Sequence, residues 1–188
     1  LTGIIQRVTF PVLCTIQDDD QRLASAYRRI LRVSAFVIFP LMTGLSALAT
    51  PFVLTILNPT WAYAATLLSI LCFAMMWYPI HAVNLNLLQV KGRSDLLLRL
   101  EIYKKIIGIA ILCITIPMGL TAMCVGLIIS SLLALIINTH YTGRLIHVGF
   151  LRQMRDLIPT LLYTLSMWAI VTILINYITP TWLQLLAG

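Results

Sequence analysis

Apolar residues in this chain run on for whole helices at a time, and polar residues gather in short clusters between them. Three stretches carry no Asp, Glu, Lys or Arg: residues 33–90 (58 residues), 106–143 (38) and 157–188 (32). A hydrocarbon core about 30 Å thick is crossed by roughly 20 helical residues. The first stretch therefore predicts two crossings and a turn. The second predicts two crossings and a tight turn, and the third predicts one crossing and a tail. Helix is expected throughout, because lipid offers no partners to free backbone groups. The predicted spans are 33–57, 61–89, 96–117, 121–142 and 157–177. Turns are marked by Asn58-Pro59-Thr60 and Pro117-Met118-Gly119, and Pro159 fits the first turn of the last helix. Residues 1–13 read as the end of a further span, and residues 178–188 as an external tail or the start of another.

Composition agrees with the pattern. Of 188 residues, 60% are hydrophobic and 10% are charged. Soluble domains carry about 25% charged residues. A soluble enzyme, a disordered chain and a nucleic-acid-binding domain are disfavoured on that count. The fold class is all-α, a polytopic membrane helix bundle. The net charge of +7 sorts cleanly along the chain. Arg7, Arg22, Arg28, Arg29 and Arg32 precede the first full span. Lys91, Arg93, Arg99, Lys104 and Lys105 follow the second, and Arg144, Arg152 and Arg155 lie between the fourth and fifth. With five spans, all 13 cations fall on one side, which the positive-inside bias makes cytoplasmic. The chain begins at Leu1, partway through a span, and reads as a segment of a longer protein with helices missing on both sides.

The connector at 14–32 has a physical form of its own. Leu23, Tyr27, Ile30 and Leu31 recur at helical spacing, with the arginines mostly opposite. Asp20 is the expected N-cap of this amphipathic segment, which should lie on the membrane surface and turn inward at Val33. Arg28, Arg29 and Arg32 admit two readings: capture of a phosphate headgroup, or anchoring to anionic lipid. Asp18-Asp19-Asp20 reads as a cap or a solvated turn rather than a metal site. Pro40 with Gly44 predicts a bend and a close helix approach in the first full span.

One ionisable residue stands inside a span. His81 is ten positions from Lys91, roughly 15 Å by helical rise. Trp77, His81 and Asn84 share a helix face, and Asn86 and Gln89 add polarity toward the basic end. Pro79 interrupts the backbone hydrogen bonding nearby. A mid-membrane histidine faces a bundle interior or a wet cavity. It could therefore line a cavity that contacts a polar ligand or relays a proton, or it could simply hydrogen-bond between helices. Both readings are open at this point. Cys14, Cys72, Cys113 and Cys124 lack paired spacing and read as packing residues. No catalytic, metal or cofactor motif appears, so the expectation is a non-enzyme without cofactors.

Several ordered motifs carry a resemblance. They are Phe10-Pro11-Val12-Leu13, Ile16-Gln17-Asp18-Asp19-Asp20, Ala26-Tyr27-Arg28-Arg29, Arg32, Phe39-Pro40-Leu41 and Gly44-Leu45. Further on come Trp61, Ala65, Leu67-Leu68-Ser69-Ile70-Leu71 and Leu88-Gln89-Val90-Lys91-Gly92-Arg93-Ser94-Asp95. The run resembles the polysaccharide-transporter branch of the multidrug/oligosaccharidyl-lipid/polysaccharide exporter superfamily. It looks most like the bacterial flippases for lipid-linked O-antigen, capsule or exopolysaccharide units. The resemblance implies most of the second lobe of a two-lobe exporter that alternates between inward-open and outward-open states. It implies an inner-membrane location and, as cargo, an undecaprenyl-diphosphate-linked oligosaccharide. Membrane lipids are the other implied partner, with polysaccharide polymerase or glycosyltransferases as assembly partners. From position and chemistry, His81, Asn84 and Asn86 are then expected to face the glycan. Arg28, Arg29, Arg32, Lys91 and Arg93 are expected to meet the diphosphate. Two alternatives stand beside the flippase: a multidrug or ion-coupled exporter of the same superfamily, and a non-transporting scaffold of a polysaccharide assembly complex.

Overall fold

The computed structural model describes residues 10–177, and every regular element among them is helical. Residues 10–14 are helical, and Leu13 is fully buried. Most of the expected span end at 1–13, and all of 178–188, lie outside the described residues.

Helix α1 runs from Asp20 to Ala47 without interruption. Its buried stripe, Leu23, Tyr27, Leu31, Ser34, Ala35, Ile38 and Phe39, keeps a spacing of three to four across Val33. One face thus stays committed to the core, and the inward turn expected at Val33 is absent. The cap is also shifted by one residue. Asp19 is extended (φ −103°), and its carboxylate accepts the backbone N–H of Gln21 at 3.1 Å and of Arg22 at 3.0 Å. Asp20 is the first helical residue instead. The expected first span is broken at Leu48, after which α2 covers Ala49–Ile56. Pro51 has no N–H to offer the Ala47 carbonyl, which accounts for the break.

A 3-10 turn at Pro59–Trp61 leads into α3, Ala62–Met75, and then α4, Tyr78–Val90. The expected single span is therefore two helices parted at Met76–Trp77. Pro79 cannot bond the Met75 carbonyl, and it sits in the first turn of α4, where the missing N–H costs little. Helix α5 covers Ser94–Thr115 and ends in a 3-10 turn at Ile116–Met118. Gly119, at φ +94°, then reverses the chain in a conformation that L side chains rarely adopt. Helix α6 covers Leu120–Ile146, and α7 covers Phe150–Tyr177. Only three residues separate these two helices. Pro159 consequently lies inside α7 rather than in its first turn.

Among the described residues, four stretches are long and apolar enough to cross a bilayer: Asp20–Ala47, Pro59–Val90, Leu120–Ile146 and Phe150–Ile175. Helix α5 is also long, but Arg99, Glu101, Lys104 and Lys105 lie along it. At the centre stands α4, where nine of its 13 residues are buried, including Asn84 and Asn86. Helix α1 packs along α7 in the most extensive seam and also meets α3 and α4, while α6 closes over α3, α4 and α5. Phe39 and Trp77 join α1 to the α3–α4 break edge to face, with ring centroids 5.4 Å apart. Outward positions such as Phe36, Ile106, Ile109 and Leu162 are exposed and apolar. That inversion is tolerable where the surrounding solvent is lipid.

Close approaches occur where small residues permit them. A Cβ on Gly126 would lie 3.0 Å from the Cγ2 atoms of Ile111 and Thr115, so α5 and α6 meet closely there. Gly44 is different, because a Cβ there would make an ordinary 3.7 Å contact with Met167. The close approach expected at Gly44 is therefore not found.

Candidate functional site

Because neighbours surround α4, each polar side chain on it needs a partner from another helix. Asn84 is fully buried and finds them all. Tyr27 Oη of α1 donates to Asn84 Oδ1 at 2.9 Å, and Thr142 Oγ1 of α6 donates to the same oxygen at 2.7 Å. The amide nitrogen donates to the Ile80 carbonyl at 2.9 Å and to Gln153 Oε1 of α7 at 3.3 Å. Gln153 in turn donates to the Val148 carbonyl at 3.0 Å. Two lone pairs and two N–H groups are thereby all used. A single amide ties α1, α4, α6 and α7 together. The structure places Asn84 at a junction between helices, with no group left to meet a glycan. Asn86 is buried as well, and its amide nitrogen has no partner among the described residues.

His81 occupies a second layer on the side of α4 that faces α6. Its Nε2 lies 3.0 Å from Ser131 Oγ, and its Nδ1 lies 3.3 Å from Asn138 Nδ2. With Asn138 donating to Nδ1, the imidazole is the neutral Nε2–H tautomer and donates to Ser131. Ser131 then donates onward to the Ala74 carbonyl at 3.4 Å, beside the α3–α4 break. The hydroxyl satisfies backbone near the proline. His81 is nevertheless only half-buried. With Tyr78, Ser130 and Ser131 it lines an open groove of about 200 Å³ between α3, α4 and α6. The structure thus separates the three residues grouped by sequence. His81 borders open space, whereas Asn84 and Asn86 do not.

The basic residues also divide. Arg28 makes a two-pronged ion pair with Asp156 of α7, at 2.6 Å from Nε and 2.7 Å from the terminal nitrogen. Lys91 reaches Asp20 at 2.6 Å and the Gln17 carbonyl at 2.7 Å, pinning the end of α4 to the start of α1. Arg93 pairs with Asp95 at 3.1 Å, and hydrogen bonding from Arg93 holds that carboxyl below the usual carboxylate range. Arg29 and Arg32 are exposed and form no ion pair among the described residues. Three of the five cations expected at a diphosphate are thus engaged within the protein. The sequence offered one signal of this, the lone Asp156 beside Arg152 and Arg155. Its partner is 128 positions away, so no local pattern could name it. Replacing Asp156 by Ala is expected to lower the thermal midpoint of the solubilised protein by several degrees. It leaves Arg28 half-buried and unpaired. Exchanging the two residues should recover part of the loss, and an unchanged midpoint in the single variant would show that the pair contributes nothing.

Comparison with known proteins adds the remaining information. Residues 1–66 match the family described as polysaccharide biosynthesis protein. An uncharacterised membrane protein in the cps region of Klebsiella pneumoniae is 32% identical over 130 residues, covering 69% of this chain and 27% of that protein. The lipopolysaccharide biosynthesis protein WzxC of Escherichia coli (strain K12) is 30% identical over 139 residues, covering 74% of this chain and 28% of its own length. The chain is thus similar to membrane proteins of polysaccharide biosynthesis. The teichuronic acid biosynthesis protein TuaB of Bacillus subtilis (strain 168) is 25% identical over 96 residues, 51% of this chain and 20% of that protein. The chain thus spans less than a third of the length of each of these relatives. No solved structure matches it. This similarity accords with the apolar helices, and the chain is that of a multi-pass membrane protein.

Proposed function

We propose that the protein is a transporter rather than an enzyme. In this reading it moves an undecaprenyl-diphosphate-linked oligosaccharide across the bacterial inner membrane by alternating access, for the assembly of a surface polysaccharide. The observation that carries the reading is the similarity, over about three quarters of this chain, to a protein named for lipopolysaccharide biosynthesis. The relative named for teichuronic acid biosynthesis points to the same class of product. The geometry adds support of a general kind. An amphiphilic cargo needs a polar wall beside an apolar one, and the His81 groove offers a polar strip within a lipid-compatible bundle. Cavity-facing ionisable residues inside a membrane commonly mark substrate paths.

Expression of the intact gene in a strain unable to export polysaccharide tests the reading. Restored surface polysaccharide, with loss of accumulated undecaprenyl-linked units inside the cell, is the expected result. Altered drug susceptibility without that restoration would point to a multidrug exporter instead. Within the same assay, His81→Leu is expected to lower export at least tenfold at equal protein abundance. His81→Gln, which keeps a donor toward Ser131, should retain more. Full export by His81→Leu would remove the groove from the transport route.

A further inference from the structure

We infer that the cleft between the start of α1 and the α6–α7 turn is a binding site for a phosphate group. The cleft has a volume of about 330 Å³ and is bordered by Arg28, Arg152, His147, Gln21, Ser25 and Asp20. Two guanidinium groups border one concavity, and each is held by a contact that leaves donors free. Arg28 gives two N–H groups to Asp156 and keeps three. Arg152 gives one to the His147 carbonyl at 2.9 Å and keeps four. Such prepositioned forks suit the tetrahedral array of phosphate oxygens. Asp20 also borders the cleft, but its carboxylate is engaged by Lys91 at 2.6 Å. Lys91 thus balances Asp20 as Asp156 balances Arg28, and the net positive charge at the cleft is that of Arg152.

His147 adds an independent sign. It stands at φ +56°, the one non-glycine residue with positive φ among those described. That conformation is unfavourable for an ordinary side chain, and glycine would adopt it freely. A ring with two nitrogens occupies this strained position at the cleft edge. Backbone strain retained at such a place accords with a functional side chain. The adjacent start of α7 reinforces the effect, since the positive end of a helix dipole favours an anion. Arg29, Arg32 and Arg155 border no part of the cleft. The site is therefore a subset of the basic cluster and includes Arg152, which sequence position did not single out.

The phosphate could belong to an anionic lipid headgroup or to a free diphosphate, and neither source depends on the transport reading. Purified full-length protein is titrated with inorganic pyrophosphate in detergent. In parallel it is placed in nanodiscs of phosphatidylcholine with or without phosphatidylglycerol, and retained lipid is read by native mass spectrometry. Saturable binding of pyrophosphate assigns the site to a soluble phosphate, and selective retention of phosphatidylglycerol assigns it to a headgroup. In either arm, Arg152→Gln is expected to weaken binding about tenfold, and His147→Asn, which tolerates the left-handed backbone, about threefold. Arg155→Gln should leave binding unchanged. Equal weakening by Arg152→Gln and Arg155→Gln would show only the general field of the basic end. That result, or binding of neither probe, would overturn the assignment and leave the transport reading untouched.

Discussion

Replacing Asn84 by Leu is expected to destabilise the bundle by about 2–4 kcal/mol, the largest effect of any single polar substitution. The basis is the cost of stranding buried polar groups, about 1–3 kcal/mol each. Not every partner of Asn84 is stranded. Thr142 keeps the Asn138 carbonyl at 3.0 Å, and Gln153 keeps the Val148 carbonyl as acceptor for its amide nitrogen. Tyr27 Oη and Gln153 Oε1 are left without their Asn84 partner, and both residues are at most 1% exposed. Tyr27→Phe alone should cost less, because it removes one donor from an oxygen that keeps Thr142. The double variant should therefore cost less than the sum, since the same bond is lost in both. Chemical denaturation of the solubilised protein reads these differences. A loss below about 1 kcal/mol for Asn84→Leu would mean that lipid or rearranged neighbours satisfy the stranded groups, as the modest energies measured for some membrane hydrogen bonds would allow.

Gly143→Val is expected to abolish recovery of folded protein. A Cβ at this position would lie 2.7 Å from Gly149 Cα and 3.2 Å from Gly149 N. Both atoms are backbone, so no rotamer change relieves the clash. Relief requires opening the turn that joins α6 to α7, and α7 is the principal neighbour of α1. Overpacking in a core costs about 1–3 kcal/mol when side chains can adjust. Here they cannot, and the Arg28–Asp156 pair and the Asn84–Gln153 bond both depend on where α7 lies. Gly149→Ala is the matched control, because a Cβ there meets nothing within 4 Å. Size-exclusion profiles should show monodisperse protein for Gly149→Ala and aggregate for Gly143→Val. Equal recovery of both would show that the turn has room to spare.

The charge-free stretches located the helices because hydrophobicity over 20 residues is a local property, written consecutively in the chain. Local chemistry also revealed the turns at Asn58–Thr60 and Pro117–Gly119, where proline and glycine act on their own backbone. The same local logic failed where a helix outlasted its charge boundary. At Val33 the arginines stop but the buried stripe does not, so α1 continues. At 143–156 the charges look like a loop, yet only His147, Val148 and Gly149 separate two helices, and Pro159 is displaced into α7.

The candidate site shows the same division. That His81 and Asn84 lie on a span needing polar neighbours was readable from their position among apolar residues. Which of them borders open space was not. Asn84 meets Tyr27 across 57 positions and Gln153 across 69, and Arg28 meets Asp156 across 128. A side chain's hydrogen bonds are fixed by the helices packed around it, and the packing of helices across such separations leaves no periodic trace in the sequence. By itself the sequence determined an all-helical membrane protein with its cations gathered in three clusters, because burial in lipid selects residue types one span at a time. Only the tertiary structure decided that Asn84 joins four helices, that His81 borders a groove, and that Arg28 is shared between Asp156 and a cleft, because each outcome depends on which faces come together.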